Sequence, residues 1–439
     1  MAIAGQRTLV RAIGRWSLVA LTINCMIGSG VFGLPSVVPG LVGNASPFAW
    51  LFAGIATGLV MACFAEVSSR FDRSGGIYLY SRFTFGRSTG IAIAWLGWLT
   101  RLTAGAANAN LFVIYLAEFW PAANSPIPRL LVLSVLLSVL TAVNYIGVRQ
   151  GARQSDLFTA AKLVTLGCFI IGALAFVMWN HRPLVTTAPT GPPSRWLHPI
   201  LLLLFAYGGY ETALMPAGEA KDPRRDYPFA LFAALITCTV VYTLNQVAII
   251  SVVAQPSLTD RPTAAAVQVM LGPWAAAVVS IGVLISCYGG LSASVLGSPR
   301  ILFAMAEQGD MPPVMARVHP RFRTPHVAIV VFAILLYGFS VAGSFQWNLF
   351  VSAMARLIYF GSVAVALPVL RRKHGAPEAR FHLPMGWFFA GLAAATSLLL
   401  FPKLDRASLA ILGILGLCVI ANAIWASRRT STTIGQSKE

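Results

Sequence analysis

The feature that most constrains this chain is a series of apolar runs, each long enough to cross a bilayer. A helix needs about 20 mostly apolar residues to span the hydrocarbon core. Twelve such runs, with soft ends, can be marked at 17–42, 48–69, 88–118, 129–147, 156–179, 196–217, 228–254, 273–304, 327–344, 347–370, 386–402 and 407–426. Uninterrupted strand alternation is absent. In lipid only helices or closed barrels satisfy their own backbone, so helices are expected throughout. Composition agrees: 57% of the residues are hydrophobic and 10% are charged, against roughly 25% charged in a soluble domain. The mean hydropathy is +0.74.

The formal net charge of +18 invites a nucleic-acid reading until the charges are located. If the N-terminus is cytoplasmic and the chain alternates sides, 23 of the 32 Lys and Arg fall in cytoplasmic segments. Six fall outside (Arg129, Arg182, Arg195, Arg261, Lys403 and Arg406), and three, Arg101, Lys162 and Arg356, lie within helices. That split is the positive-inside bias that orients membrane proteins. The basicity is topological, and no nucleic-acid partner is expected.

The six cysteines all fall within apolar runs, without metal-ligand spacing or a disulfide framework. The first run is too long for a cleaved signal segment and has no small-residue cleavage site after it. The hydrophilic ends, Met1 to Arg15 and Ser427 to Glu439, are short, so no appended soluble domain is expected. Neither a Walker lysine motif nor H-E-x-x-H nor G-x-S-x-G occurs. These absences argue against an ATP-driven pump and against the common hydrolases. No cofactor or metal is expected, and the chain does not read as an enzyme.

Two runs are interrupted near their middles. Run 1 carries Asn24-Cys-Met-Ile-Gly28-Ser29-Gly30-Val-Phe-Gly33-Leu-Pro35, and run 6 carries Phe205-Ala206-Tyr207-Gly208-Gly209-Tyr210-Glu211. Glycine costs about 1 kcal/mol in a helix interior. Glycine clusters at matching positions in two halves point to discontinuous helices. Five helices separate the breaks, an odd number, so two five-helix units would run with opposite topology. No residue-level self-similarity supports the repeat beyond the break positions.

Unwinding leaves main-chain groups without intrahelical partners at mid-membrane, where they are costly unless they bind something. An amino acid offers a carboxylate and an ammonium. N–H groups at the start of a half-helix suit the carboxylate, and Gly28, Ser29 and Gly30 would supply them beside Ile27. Carbonyls before that break and around Ala206 to Gly208 suit the ammonium. Phe205, Tyr207 and Tyr210 are expected to close over the ligand.

Each motif has a blander reading. Gly28-Ser-Gly30-Val-Phe-Gly33 matches the dinucleotide pattern G-x-G-x-x-G but lacks the strand that the fingerprint requires. Glycines there also permit close helix packing, which is the preferred reading of Gly54 and Gly58. Lys162 sits about two turns into helix 5. It either snorkels to the interface or faces inward, as intramembrane ionisable groups usually do. An inward lysine, taken out of water, can gain and lose a proton near neutrality and replace a sodium ion by the helix 1 break. Arg101, near the middle of helix 3, needs a partner or water and reads equally as selective or structural. Arg356 and Tyr359 in helix 10, Glu211 after the helix 6 break, Asn108 and Ser286 complete the pathway or gating candidates. Glu66 reads as an interfacial ion pair.

Taken in order, these motifs resemble the amino acid–polyamine–organocation superfamily of secondary transporters, nearly end to end. The stretch Ile27-Gly28-Ser29-Gly30-Val31-Phe32 is similar to its helix 1 signature. Ser74-Gly75-Gly76-Ile-Tyr78-Leu-Tyr80 with Phe85-Gly86 resembles its helix 2–3 loop. Phe205 to Glu211 with Gly218-Glu219-Ala-Lys221-Asp-Pro223 resembles helix 6 and the loop after it, and Pro299-Arg300-Ile-Leu-Phe-Ala-Met with Gly309-Asp310-Met-Pro312 the end of helix 8. The resemblance implies a LeuT-type fold of ten core helices plus two. It implies substrate contacts at Gly28, Ser29, Gly30, Phe205, Ala206 and Tyr207, and aligns Lys162 with the lysine that proton-coupled members use in place of sodium. Arg101 occurs similarly in some neutral amino acid exchangers, so by itself it leaves the substrate's charge open. Helix 6 has no tryptophan near its break, unlike members that clamp arginine there.

The expected fold is all-α and integral to the membrane. It has about twelve transmembrane helices, a 5+5 inverted repeat with broken helices 1 and 6, and two C-terminal helices. Residues 1–370 form the core, with repeats over about 15–180 and 195–370, and 371–439 hold the two further helices and a short tail. The expected protein lies in the cytoplasmic membrane with both termini in the cytoplasm. It carries small neutral amino acids by alternating access, through proton-coupled symport or exchange. The alternative within the fold is a cationic amino acid or polyamine carrier, disfavoured because Glu211 is the only obvious acidic group at the site. A membrane-embedded enzyme or sensor is the third reading, and the missing catalytic clusters and output domain count against it.

Overall fold

The structure, a computed structural model, describes residues 13–436 apart from 73–74, 147–151, 182–183, 185–186, 188–191 and 401–405. Residues 1–12, Ser74, Arg182 and Lys403 therefore lie outside the described residues, as does part of the basic segment at 149–153. Among the described residues the protein is helical, with one isolated bridge between Ile13 and Ala220.

The first apolar run is two helices, α1 (Arg15–Met26) and α2 (Gly30–Val42), and α3 (Ser46–Ser68) follows. A short α4 (Gly76–Phe85) leads into the long α5 (Arg87–Leu116), then α6 (Pro126–Ile146) and α7 (Ala152–Trp179). The sixth run divides into α8 (Ser194–Tyr207) and a single turn, α9 (Tyr210–Ala213). Next come α10 (Pro223–Val252), α11 (Pro262–Leu271), α12 (Pro273–Gly297), α13 (Pro299–Glu307) and α14 (His326–Ala342). The chain ends with α15 (Phe345–Arg372), α16 (Gly386–Leu400) and α17 (Arg406–Gln436).

Seven helical stretches among the described residues are long and apolar enough to cross a membrane. The halves of the broken runs fall short by length, α1 with 12 residues and α8 with 14. Three helices occupy segments that read as loops or run ends. α4 and α11 fill connections, and α13 splits the end of run 8, because Pro299 opens a new helix at its first position. α17 continues ten residues past the apolar run, since nothing from Ser427 to Thr433 is a helix breaker.

α5 forms the axis of the bundle, packed against α15, α12, α4 and α14, while α10 lies against α3 and α1. Gly54 and Gly58 face α10: a Cβ on Gly54 would come within 2.7 Å of Thr239 and one on Gly58 within 3.1 Å of Leu235. That is the close backbone approach expected of small residues between membrane helices. Buried ion pairs bind the other elements. Glu66 accepts from Arg70 at 3.0 Å, from Arg371 Nε at 2.8 Å and from the Leu383 N–H at 2.9 Å, so α3 is tied to α15 and the segment after it. Asp310, fully buried, accepts from Arg82, from Arg87 Nε at 2.5 Å and from the Tyr78 hydroxyl at 2.7 Å, so the turn after α13 is tied to α4 and α5.

Candidate functional site

The two helix breaks meet. α1 ends at Met26 and α2 starts at Gly30, while α8 ends at Tyr207 and α9 starts at Tyr210. A Cβ on Gly30 would stand 2.7 Å from the Ala206 Cβ and 2.9 Å from its Cα. Gly209 holds φ +108°, a backbone region that suits glycine, and a side chain there would collide with the Cys25 carbonyl. Glycine at both points lets the helix ends beside the two breaks pack in close contact.

The freed main-chain groups then need partners. Proline lacks an N–H, so each interior proline orphans the carbonyl four residues before it. Pro35 and Pro39 lie inside α2, which frees Val31 O and Pro35 O. Asn245 Nδ2 on α10 donates to Val31 O at 3.2 Å, and Gln246 Nε2 donates to Pro35 O at 3.4 Å. One turn back, the Tyr242 hydroxyl is shared between Met26 O at 3.0 Å and Ala206 O at 3.2 Å, carbonyls at the ends of α1 and α8. Spacings of three and four put all three side chains on one face of α10. Lys162 Nζ, on α7, donates to Ile27 O at 2.8 Å and to Asn24 O at 3.4 Å. It thus sits at the negative end of the α1 dipole.

The breaks border a cavity of about 140 Å³. Ile27, Gly28, Ser29 and Gly30 line it on one side, and Phe205, Ala206, Gly208 and Glu211 on another; Arg101, Asn108, Lys162 and Arg356, also expected, line it too. The first N–H groups of a helix have no intrahelical acceptor, and α2 begins at the cavity wall with Gly30. Buried polar atoms without a hydrogen-bond partner on the described lining include Ser29 Oγ, Asn108 Oδ1 and Ser298 Oγ. Unpartnered atoms of this kind are few in folded proteins, and here they belong to residues grouped around one cavity.

Glu211 and Arg356 form one buried unit. Glu211 Oε1 accepts from Arg356 Nε at 3.1 Å and from the Tyr359 hydroxyl at 2.7 Å, and Oε2 accepts from the Gly209 N–H at 2.8 Å. Arg356 Nη1 also donates to Phe205 O at 3.0 Å, and its guanidinium lies 5.6 Å from the Phe205 ring centre. The pair therefore clamps both sides of the helix 6 break. Arg101 approaches the same cavity from α5, where Nη2 donates to Thr212 Oγ1 at 3.0 Å and lies 3.1 Å from Met215 Sδ.

Four expected residues sit off this lining, Tyr359 among them, held behind it against Glu211 and Arg356. Tyr207 turns away from the cavity; its hydroxyl donates to Trp50 O at 2.9 Å and its ring packs on Tyr242. Two residues of helix rotate a side chain to another face, so Phe205 and Tyr207 cannot both close over one ligand. Tyr210 is packed between Phe64 and Phe360, and its part in covering a ligand is not seen. Ser286 lines a separate cavity of about 120 Å³ that also touches Lys162 and Phe32. Residues that sequence reasoning missed are Thr212, Ser294 and Ser298 on the lining and Tyr242, Asn245 and Gln246 behind it. The run of Gly289, Gly290, Ala293 and Ser294 was a legible signal, since small residues leave the space that α12 opens here.

A family model described as amino acid permease matches residues 13–424. The chain belongs to the amino acid permease family. This permease is 28% identical to the serine/threonine exchanger SteT of Bacillus subtilis (strain 168), over 89% of this chain and 90% of that protein. It is 26% identical to a methylthioribose transporter of the same organism, over 86% and 85% of the two chains. It is also 26% identical to the vacuolar cationic amino acid transporter 4 of Arabidopsis thaliana, over 84% of this chain and 64% of that one. The permease is thus a multi-pass membrane protein related to transporters, not to enzymes. The named substrates of these relatives differ in charge and in chemistry, so the permease's own cavity has to decide its specificity.

Proposed function

We propose that this permease is a secondary active amino acid carrier that binds its substrate at the paired helix breaks and works by alternating access. The observation that carries the reading is that both unwound segments border one cavity containing Ser29 Oγ and Asn108 Oδ1, buried and without partners. The substrate carboxylate takes the N–H groups from Gly28 to Gly30, where the helix dipole favours an anion. The ammonium takes the carbonyls around the breaks, and Phe205 covers the ligand. The architecture proposed is about twelve spans with a 5+5 inverted repeat, breaks in spans 1 and 6 and two added helices. Its place is the cytoplasmic membrane with both termini inside.

Lys162 is the coupling residue in this reading. Its ammonium joins α7 to the end of α1 through Ile27 O. Loss of its proton removes the charge that strengthens this bond and its attraction to the negative end of the α1 dipole, and so loosens α1. A ligand or proton shifts such an equilibrium only by binding one facing better than the other, and Lys162 supplies that difference. The cationic substrate reading has little support, because the lining carries Arg101, Lys162 and Arg356 against a single carboxylate, Glu211.

The test is uptake of labelled amino acids into proteoliposomes, with and without a pH gradient. Wild type is expected to accumulate substrate with the gradient. Lys162→Ala is expected to keep bound-substrate stabilisation but lose the gradient dependence. Accumulation by Lys162→Ala that still follows the pH gradient would rule out the coupling role.

A further inference from the structure

The cavity carries more positive charge than the protein itself neutralises. Among the described residues Glu211 is the only carboxylate on the lining, and both its oxygens are taken by Arg356, Tyr359 and the Gly209 N–H. Lys162 rests on main-chain carbonyls at the end of α1. Arg101 has neither arrangement. Its recorded partners are a hydroxyl and a thioether, Thr212 Oγ1 and Met215 Sδ. Among the described residues no carboxylate lies within ion-pair distance of it. Arg101 is partly withdrawn from water at the cavity wall, and a guanidinium placed there with no carboxylate paired to it favours an added anion. Within membranes such groups mark substrate pathways.

The surroundings of Arg101 suit an incoming anion. A Cβ on Gly297 would lie 3.8 Å from Arg101 Nη1, which places the end of α12 beside the guanidinium. The next residue, Ser298, lines the same cavity with a fully buried hydroxyl that has no partner. Thr212 Oγ1 accepts from Arg101 and so keeps its own proton to donate. One guanidinium and two hydroxyl donors are a carboxylate-binding set. Seven residues along α5, about 10 Å at 1.5 Å per residue, Asn108 lies against Gly290 of the antiparallel α12. The cavity is therefore polar at two levels, and Arg101 and Ser298 mark the level removed from Asn108.

We infer that the transported amino acid bears an acidic side chain, whose carboxylate is received by Arg101 with Thr212 and Ser298. This rests on the reading of the site as an amino acid carrier, with the α-carboxylate at the helix 1 break. The substrate class is the dicarboxylic amino acids, aspartate and glutamate, in place of the small neutral ones. The second carboxylate supplies the direct ion pair that Arg101 lacks, which the side chain of a neutral or cationic amino acid cannot do.

The experiment is uptake of labelled L-glutamate and L-serine in parallel into proteoliposomes of the full chain. Unlabelled aspartate, leucine and arginine serve as competitors. Wild type is expected to take up glutamate in preference to serine and to be inhibited by aspartate more strongly than by leucine or arginine. Arg101→Gln is expected to lower the glutamate-to-serine ratio at least about tenfold, through KM, because a site that pairs with a polar group discriminates strongly once that partner is lost. Arg101→Lys is expected to hold an intermediate ratio. The ratio cancels losses of folded protein, and if Arg101→Gln yields none, the wild-type competition still decides. Serine uptake that neither glutamate nor aspartate inhibits overturns the acidic side chain while leaving the carrier standing. An unchanged ratio in Arg101→Gln does the same. If no amino acid moves at all, the carrier reading falls with it.

Discussion

Glu211 shows how much one side chain holds at the break. It joins α9 to α15 through Arg356 and Tyr359, and it caps the Gly209 N–H. Glu211→Gln removes the charge and leaves Arg356 buried without its counter-ion. Breaking a buried pair from one side costs about 3–5 kcal/mol. Thermal unfolding in detergent is expected to show a loss of that size, and a variant as stable as wild type would mean that Arg356 has another partner. Gly209 is constrained differently. Its φ of +108° and its contact with the Cys25 carbonyl leave no room for a methyl group. Gly209→Ala is expected to cost more than the 1–3 kcal/mol of backbone strain alone, since α1 must also retreat, and to abolish binding. Retained substrate-induced stabilisation in that variant would show that the breaks need not touch.

At the scale of elements, α10 decides whether two broken helices can persist. Its Tyr242, Asn245 and Gln246 take carbonyls at Met26, Ala206, Val31 and Pro35. Trp50 on α3 donates to Gln246 Oε1 at 2.8 Å and holds that amide in orientation. Tyr242→Phe keeps the ring and deletes a proton shared by both breaks. The direct cost is about 1 kcal/mol, a typical net hydrogen bond. The larger effect is expected on function, because the two breaks lose their common anchor. Substrate KM is expected to rise by several fold while the protein still purifies as a monodisperse sample. Wild-type KM in Tyr242→Phe would reduce this contact to packing.

At the scale of the whole molecule, Asp310 fastens the turn after α13 to α4 and α5 through Arg82, Arg87 and Tyr78. α13 continues from the end of α12, where Ser294 of α12 and Ser298 between the two helices line the cavity. Releasing the fastening should let α12 separate from α5 at that end. Asp310→Asn, with a cysteine at Thr212 as reporter, is expected to raise the rate of maleimide labelling. An unchanged rate would limit Asp310 to local stability.

The sequence alone determined that this is a membrane transporter with interrupted helices. That information is local: run length reflects bilayer thickness, and glycine within an apolar run reflects backbone cost. The lining was legible for the same reason at Gly28 to Gly30, Phe205 and Ala206, which sit in the breaks themselves, and at Lys162, Arg101 and Arg356, because a charge inside a span is conspicuous. Only the tertiary structure decided where side chains point and whom they meet. Tyr207 lies two residues from Phe205 yet faces α3, because helix rotation separates them. Tyr242, Asn245 and Gln246 are unremarkable polar residues in a long apolar run, and their partners are more than 30 residues away in sequence, most of them over 200. The charge balance of the cavity is a property of the same kind. Arg101 could be read as structural or selective until folding paired Arg356 with Glu211 and left Arg101 beside a hydroxyl and a sulfur.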